Sequence, residues 1–477
     1  MQNGLQINKK AFLSSALILF VFMIIAGSLT YIIVPGSYKR QIEGTREVLL
    51  PDSFEWHKSK PCPVWRWFTA PLEVLWGKDA KIIIGIIVFI LFVGASFSLL
   101  LEAQVLEISI ALLCQKFYRQ RYILVAILTF CCMSMGALLG VYEEILPLVP
   151  IVIAIACSMK WDVLMGLGMS LLACCFGFTA ALVNPFSIGV AQSLAGLPLF
   201  SGSGNRLILL FLLYVLLVIF LIRYAKKIES NPKSSPMFNP ESIQNTNMVL
   251  RVTEESPGLK KACLFFYLCL AVLFSYIFFS PFFPTLQQYS LLILGLIFFS
   301  SGAGSCWIVK LSVKRILKKT GKGILGVAPG ILLILMAMSI KHIIVNGGIM
   351  DTLLHYASGY FPKAQPIKAA FFIYALTLFM NFFIGSASAK AFLIIPIIAP
   401  LSEIVGLTRQ TAISAFCLGD GFSNVIYPTN PVLMIALGLS GVSYWVWLRW
   451  TFPLQILIAL VSLIFLAIVA TTGYGPF

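Results

Sequence analysis

Apolar runs long enough to cross a bilayer recur from one end of this chain to the other. In hydrocarbon every backbone N–H and C=O must be satisfied within the protein, so such runs fold as helices. The first, residues 11–34, carries no charged side chain, and no small-residue cleavage site follows it. It reads as a retained span rather than a signal peptide. Of 477 residues, 59% are hydrophobic and 11% charged, and the mean hydropathy is +0.95. No soluble domain of this size could bury so much apolar surface. The fold class is therefore an all-α polytopic membrane protein.

Further candidate spans are 80–101, 122–140, 145–157, 163–183, 207–224, 262–280, 289–309, 324–343, 369–384, 391–405, 411–427 and 451–470. The polar interruptions are 35–79, 226–261 and the basic run "KLSVKRILKKTGKG" at 310–323. A net charge of +16 could point to nucleic acid, but the Lys and Arg fall between spans, where they orient the chain. No nucleic-acid partner is expected; the lipid bilayer is. Lys9, Lys10, Lys116, Arg119, Arg121, Arg223, Lys226, Lys227 and the run at 310–322 can all be cytoplasmic if the N-terminus is inside, which places loop 35–79 outside. The chain is thus expected in the cell membrane. The 11 cysteines form no CxxC or Cys/His cluster, so neither a disulfide framework nor a metal site is expected.

Segments 145–157, 369–384 and 391–405 reach only about 20–24 Å at 1.5 Å per residue, short of a ~30 Å hydrocarbon core. Paired as 122–157 and 369–405, they and 122–140 read as two re-entrant hairpins. Their tips, "GVYEE" (140–144) and "GSASAK" (385–390), are then expected near the midplane.

Between the hairpins and the following spans the chain breaks twice in the same way. "GFTAALVNPFSIGVAQSLAGLP" (177–198) aligns with "GFSNVIYPTNPVLMIALGLSGVS" (421–443), with an offset of 244–246 residues throughout. Asn184-Pro185 matches Asn430-Pro431. Proline cannot continue a helix interior, so each motif breaks its span. A hairpin contributes no crossing, so the first half (1–225: spans 11–34 and 80–101, hairpin 122–157, broken span 163–200, span 207–224) returns inside. A cytoplasmic linker (226–261) and one linking span (262–280) follow. The second half (281–477: hairpin 369–405, broken span 411–443) then starts outside. The halves form an inverted-topology repeat, the signature of alternating-access transporters.

Half-helix ends created by such breaks attract anions at their N-termini and cations at their unwound carbonyls. Asn184, Thr429 and Asn430 at the breaks, with Asn424 just before the second, supply side-chain oxygens and amides, and Ser386 and Ser388 at the second tip supply hydroxyls. Charges inside membrane-depth segments are costly and are site candidates: Glu143, Glu144, Lys390 and Asp420. Asp420 and Lys390 can alternatively be a structural ion pair. Asp162 and Arg409, following the two hairpins at equivalent places, read as surface or cap residues.

"Glu-Glu" at 143–144, "NP" at 184–185 before "GVAQSLAG", and residues 395–434 resemble the YfcC-type family of the C4-dicarboxylate anaerobic carrier-like (DcuC-like) group, within the ion transporter superfamily. The resemblance covers nearly the whole chain. It implies a secondary transporter with two re-entrant hairpins, a scaffold and a moving transport part, and a homodimer. It implies substrates among C4-dicarboxylates and basic amino acids such as arginine and ornithine. The second tip departs from the family's pattern: "SASAK" stands where the family reads Ser-Gly-Ser-Gly and an uncharged residue. An ammonium there argues against a carried-over sodium site, so no cofactor is expected and the coupling ion is open between Na+ and H+. The expected function is alternating-access, elevator-type transport of a small carboxylate-bearing solute, an amino acid ranked before a dicarboxylate. An enzyme or a channel ranks below: no HExxH or GxSxG motif occurs.

Overall fold

The computed structural model describes residues 9–43, 46–50, 53–57, 61–77, 79–237, 257–279, 289–359, 361 and 365–475. Most of the linker (238–256) lies outside them.

The apolar runs fold as helices, as bilayer physics requires. α1 is Lys9–Ile32, and loop 33–79 follows with two small antiparallel ribbons, β1 (Gly36–Ser37) with β4 (Glu55–Trp56) and β2 (Arg40–Glu43) with β3 (Arg46–Leu49). α2 (Val64–Glu73) closes that loop, and α3 (Ala80–Glu102) descends from it. Two packed groups then emerge. α3 packs against α12 (Ser290–Ile308) and α13 (Val313–Asn346), α12 against α11 (Pro257–Phe279), and α13 against α1. The α3–α13 crossing is glycine-made: a methyl on Gly323 would fall 2.3 Å from the Gly94 carbonyl oxygen.

The second group holds both hairpins and both broken spans. The first hairpin is α5 (Arg121–Ser134), a π-helical turn over Met135–Leu139, a turn at 140–147 and α6 (Leu148–Ser158). Its broken span is α7 (Val163–Leu167), a second π turn and α8 (Ala173–Ala180), a break at 181–184, a third π turn at Pro185–Gly189 and α9 (Val190–Leu194). α10 (Ser203–Ser230) closes the first half. In the second half, α14 (Met350–Gly359) precedes the hairpin α15 (Pro366–Asn381) and α16 (Ala387–Ile404). The broken span α17 (Arg409–Ser423) and α18 (Pro431–Ser440), then α19 (Tyr444–Thr471), complete it. The two broken spans cross where Gly421 meets Thr179, 2.3 Å from the position of a glycine-borne methyl to the Thr179 Cα.

The hairpins are re-entrant and open at opposite ends of α10. At its far end Glu229 accepts from Tyr122 OH (2.7 Å) and Trp161 Nε1 (2.7 Å) and pairs with Arg121 (3.1 Å), so both mouths of the first hairpin return to one carboxylate. At its near end Gly202 bonds the Tyr474 hydroxyl, and the Tyr474 carbonyl accepts from Thr408 at the mouth of the second hairpin (2.9 Å). α16 packs on β3 there. The same face joins the two non-adjacent loops: Tyr38 N donates to Asp351 (3.0 Å), Arg40 pairs with Asp351 (2.8 Å) and Lys341 with Asp79 (2.6 Å).

Three expectations need correction. The basic run 310–323 is helical from Val313, because its Lys, Arg, Leu and Ile residues are helix-compatible and Ser312 has the extended conformation of an N-cap. A short helix between 101 and 122, α4 (Val105–Phe117), carries the chain from the α3 group to the first hairpin. The start of the linker is the last turn of α10, where Lys227 suits the helix C-terminus. The first arm, Arg121–Leu139, is 19 residues, about 28 Å, and beyond it Glu144 lies 3.5 Å from Ser290 at the loop-face end of α12.

Candidate functional site

Both breaks are built alike. Asn184 has extended backbone, and its Oδ1 accepts from Phe186 N (2.8 Å) and Ser187 N (3.2 Å). Asn430 does the same for Val432 N (3.0 Å) and Leu433 N (3.2 Å). The proline that follows each has no N–H to lose at the first helical position, so Asn-Pro ends one helix and starts the next. Both asparagines are buried.

The second break faces a buried polar cluster. Lys390, in the first turn of α16, and Asp420, in the last turn of α17, are both fully buried, and Lys390 Nζ lies 2.6 Å from Asp420 Oδ1. The approach is off the hydrogen-bonding direction, and neither Asp420 oxygen has a hydrogen-bond donor among the described residues. Lys390 donates instead to the Ile384 carbonyl (2.9 Å) and to Asn381 Oδ1. Asn381 ends the first arm of the hairpin and is the hub of the cluster. Its Nδ2 reaches the Asp420 carbonyl (3.2 Å), Ser423 Oγ (2.6 Å) and Asn424 Oδ1 (3.1 Å), and Asn424 Oδ1 also accepts from Asn430 Nδ2 (3.1 Å). Tyr142, at the first tip, donates to the Asn424 carbonyl (3.1 Å) and so ties that tip to the second broken span.

The sequence-derived candidates are therefore distributed unevenly. Lys390, Asp420, Asn424 and Asn430 share one network. Asn184 lies at its own break, with Gly140 against its side chain and Nδ2 3.5 Å from the Gly136 carbonyl. Glu143 and Glu144 are half-buried at the first tip, and among the described residues neither has a cationic partner. Ser386 is exposed and caps α16 through Ala389 N (3.4 Å), with Ser388 Oγ 3.4 Å away; neither hydroxyl bonds to the cluster, and Ser386 meets it only through its carbonyl, which accepts from Lys390 N (3.0 Å). Thr429 is half-buried between the prolines. Asn381, Ser423 and Tyr142 escaped sequence reasoning. Asn381 had one available signal, a carboxamide ending an apolar helix beside a turn. Asp162 caps α7 through Met165 N (3.0 Å), and Arg409 pairs with Glu403 (2.6 Å) and donates to the Ala195 carbonyl (2.6 Å). Among the described residues no group of three His, Cys, Asp or Glu could hold a metal ion.

The sequence profile of the C4-dicarboxylate anaerobic carrier family (DcuC) matches residues 12–471. YfcC of Escherichia coli (strain K12), a proposed basic amino acid antiporter, is 26% identical over 381 residues, 77% of this chain and 73% of that protein. An uncharacterized protein of Haemophilus influenzae is 24% identical over 395 residues, 81% of this chain and 75% of that one. Among solved structures, the YdaH transporter of Alcanivorax borkumensis aligns over 97% of this chain and 100% of its own, at 16% identity and a TM-score of 0.41. MtrF of Neisseria gonorrhoeae aligns over 95% and 94%, at 14% identity and a TM-score of 0.45. The match across nearly the whole length makes this chain a multi-pass membrane protein of the C4-dicarboxylate anaerobic carrier family.

Proposed function

We propose that this protein is a secondary active transporter, working by elevator-type alternating access, for a cationic amino acid such as arginine or ornithine. The carrying observation is the charge balance at the centre. Asp420 cancels Lys390 at 2.6 Å, so the ammonium is not free to hold a substrate carboxylate. The carboxylates left without a cationic partner are Glu143 and Glu144, which suit a guanidinium or second ammonium. The substrate's own carboxylate then has the N-terminal ends at Pro185 and Pro431, where the dipole is positive. A C4-dicarboxylate would bring two more negative charges to these glutamates, which is why it ranks second despite the family's description. The name of the E. coli relative agrees with the first reading. Enzyme chemistry has no support in paired nucleophile and base, and a channel would not require two inverted gated halves.

In this reading Lys390 stands in the place of a coupling cation, and transport is exchange or proton-linked rather than sodium-driven. The mobile unit is the second helix group, the scaffold is the α1, α3, α11, α12 and α13 group, and two copies assemble through scaffolds in the cell membrane with the N-terminus cytoplasmic. The first half is 1–225, the linker 226–261, the linking span 262–280 and the second half 281–477. The deciding experiment is counterflow in proteoliposomes. Arginine or ornithine inside should accelerate entry of labelled arginine, with no sodium requirement. Flux of a C4-dicarboxylate with none of arginine would overturn the substrate assignment.

A further inference from the structure

Arg206, in the first turn of α10, is 1% exposed, and among the described residues no carboxylate pairs with it. Its guanidinium is held by backbone carbonyls from two sharply turned segments. Nε donates to Ala181 O (3.1 Å) and Nη2 to Leu182 O (3.0 Å), the carbonyls that the first break frees from α8. Nη1 donates to Ser201 O (2.8 Å) and Nη2 reaches Phe200 O (3.4 Å), with the Tyr474 hydroxyl 3.4 Å from Nη1. Ala181 and Phe200 both have positive φ, 45° and 60°, a conformation that non-glycine residues rarely adopt. The backbone is bent at both places so that its oxygens converge on one point.

A cage of unwound carbonyls at a broken helix is how carriers with inverted repeats coordinate a monovalent coupling cation. Here the cage is filled from within. We infer that Arg206 is a built-in cation occupying an ion position at the first break, as Lys390 does at the second. Each break then carries its own built-in cation, Arg206 held by carbonyls and Lys390 balanced by Asp420, and the protein needs no inorganic cation at either. This rests on the transporter reading and extends it to coupling: with both positions filled by side chains, an ion gradient has nothing to bind in either half, and the driving force is the exchanged solute or a proton. Tyr474 is the positioning residue, since its hydroxyl touches Arg206 and its carbonyl accepts from Thr408 in the second half (2.9 Å).

The test is cation-dependent unfolding of the full-length purified protein, a readout that does not require transport. Wild type should give the same midpoint in sodium, potassium, guanidinium or choline chloride at equal ionic strength and low-millimolar concentration. Arg206→Ala should unfold earlier, and guanidinium, but not choline, should raise its midpoint by about 2 °C or more. A variant with a lowered midpoint that no small cation restores, or with a wild-type midpoint, overturns the inference. Should Arg206→Ala fail to fold, Arg206→Lys keeps the charge with fewer hydrogen bonds and Arg206→Gln keeps hydrogen bonds without the charge. The lysine variant should lie nearer wild type, and the reverse order overturns the inference. Cation rescue without any solute flux in proteoliposomes would sink the transporter reading and leave the ion position standing. Flux without cation rescue would do the opposite.

Discussion

Lys390 and Asp420 lie 2.6 Å apart, one on the second re-entrant hairpin and one on the second broken helix, and neither side chain is exposed. Removing one partner of a buried pair strands the other charge, at a cost of roughly 3–5 kcal/mol, whereas removing both is often nearly neutral. Lys390→Ala and Asp420→Asn should therefore each lower the unfolding midpoint strongly, and Lys390→Met/Asp420→Asn should recover most of the loss. If the ammonium also replaces a coupling ion, the double variant should regain stability without regaining sodium-free exchange. Full exchange activity in the double variant would reduce the pair to a structural role.

Asn381 makes more of the cluster's contacts than any residue the sequence pointed to. Asn381→Ala leaves the Lys390 ammonium and Ser423 short of partners in a buried site, and each unsatisfied group costs about 1–3 kcal/mol. Asn381→Asp should instead pair with Lys390 and compete with Asp420. Uptake in both variants is expected to fall at least tenfold with protein levels maintained in the membrane. Wild-type uptake in both would remove the cluster from the transport mechanism.

Asn184 and Asn430 should behave as a matched pair. Each caps two N–H groups, and replacing such a cap by alanine costs roughly 0.5–2 kcal/mol. Thermal unfolding of Asn184→Ala and Asn430→Ala should show similar modest losses, while exchange falls far more than stability does. A large transport defect in only one of them would show that the two breaks are not functionally equivalent.

At the loop face, hydrogen bonding from Arg66 holds the Glu73 carboxyl down at about 2, assisted by Thr69 and His342 and opposed by burial. A carboxylate with a depressed folded-state pKa contributes stability that is present above its ordinary value of 4.5 and is lost as pH falls toward 2. Wild type minus Glu73→Gln should show a stability difference at neutral pH that shrinks across that window. Because Arg66 is half exposed, the difference is of surface-pair size, about 0.2–1 kcal/mol. A difference independent of pH would mean that Glu73 acts by packing alone.

The two hairpin mouths lie at opposite ends of α10, so cysteines on the two faces must label from opposite sides. Lys39→Cys should react with an impermeant thiol reagent from one side, and Ser234→Cys and Lys318→Cys only from the other. Labelling of all three from one side would contradict the inverted arrangement.

What the sequence determined by itself is local. Apolar run length dictates helices, because hydrocarbon leaves the backbone no other partner. Asn-Pro dictates the two breaks, because the ring excludes one conformation and the carboxamide caps the next helix within three residues. Their equal spacing in the two halves made the inverted repeat legible from one chain. The tertiary structure decided the rest, for the opposite reason. That Asp420 cancels Lys390, that Asn381 joins both to Asn424, and that Arg206 fills the carbonyls of Ala181 and Leu182 depend on helices crossing at angles no short-range pattern records. Glu229 gathering Tyr122 and Trp161, which makes the first hairpin re-entrant, is likewise a meeting of residues far apart in the chain. The helical start of α13 went unread because its lysines look like a loop between spans, while their backbone, outside the hydrocarbon, is free to continue the helix.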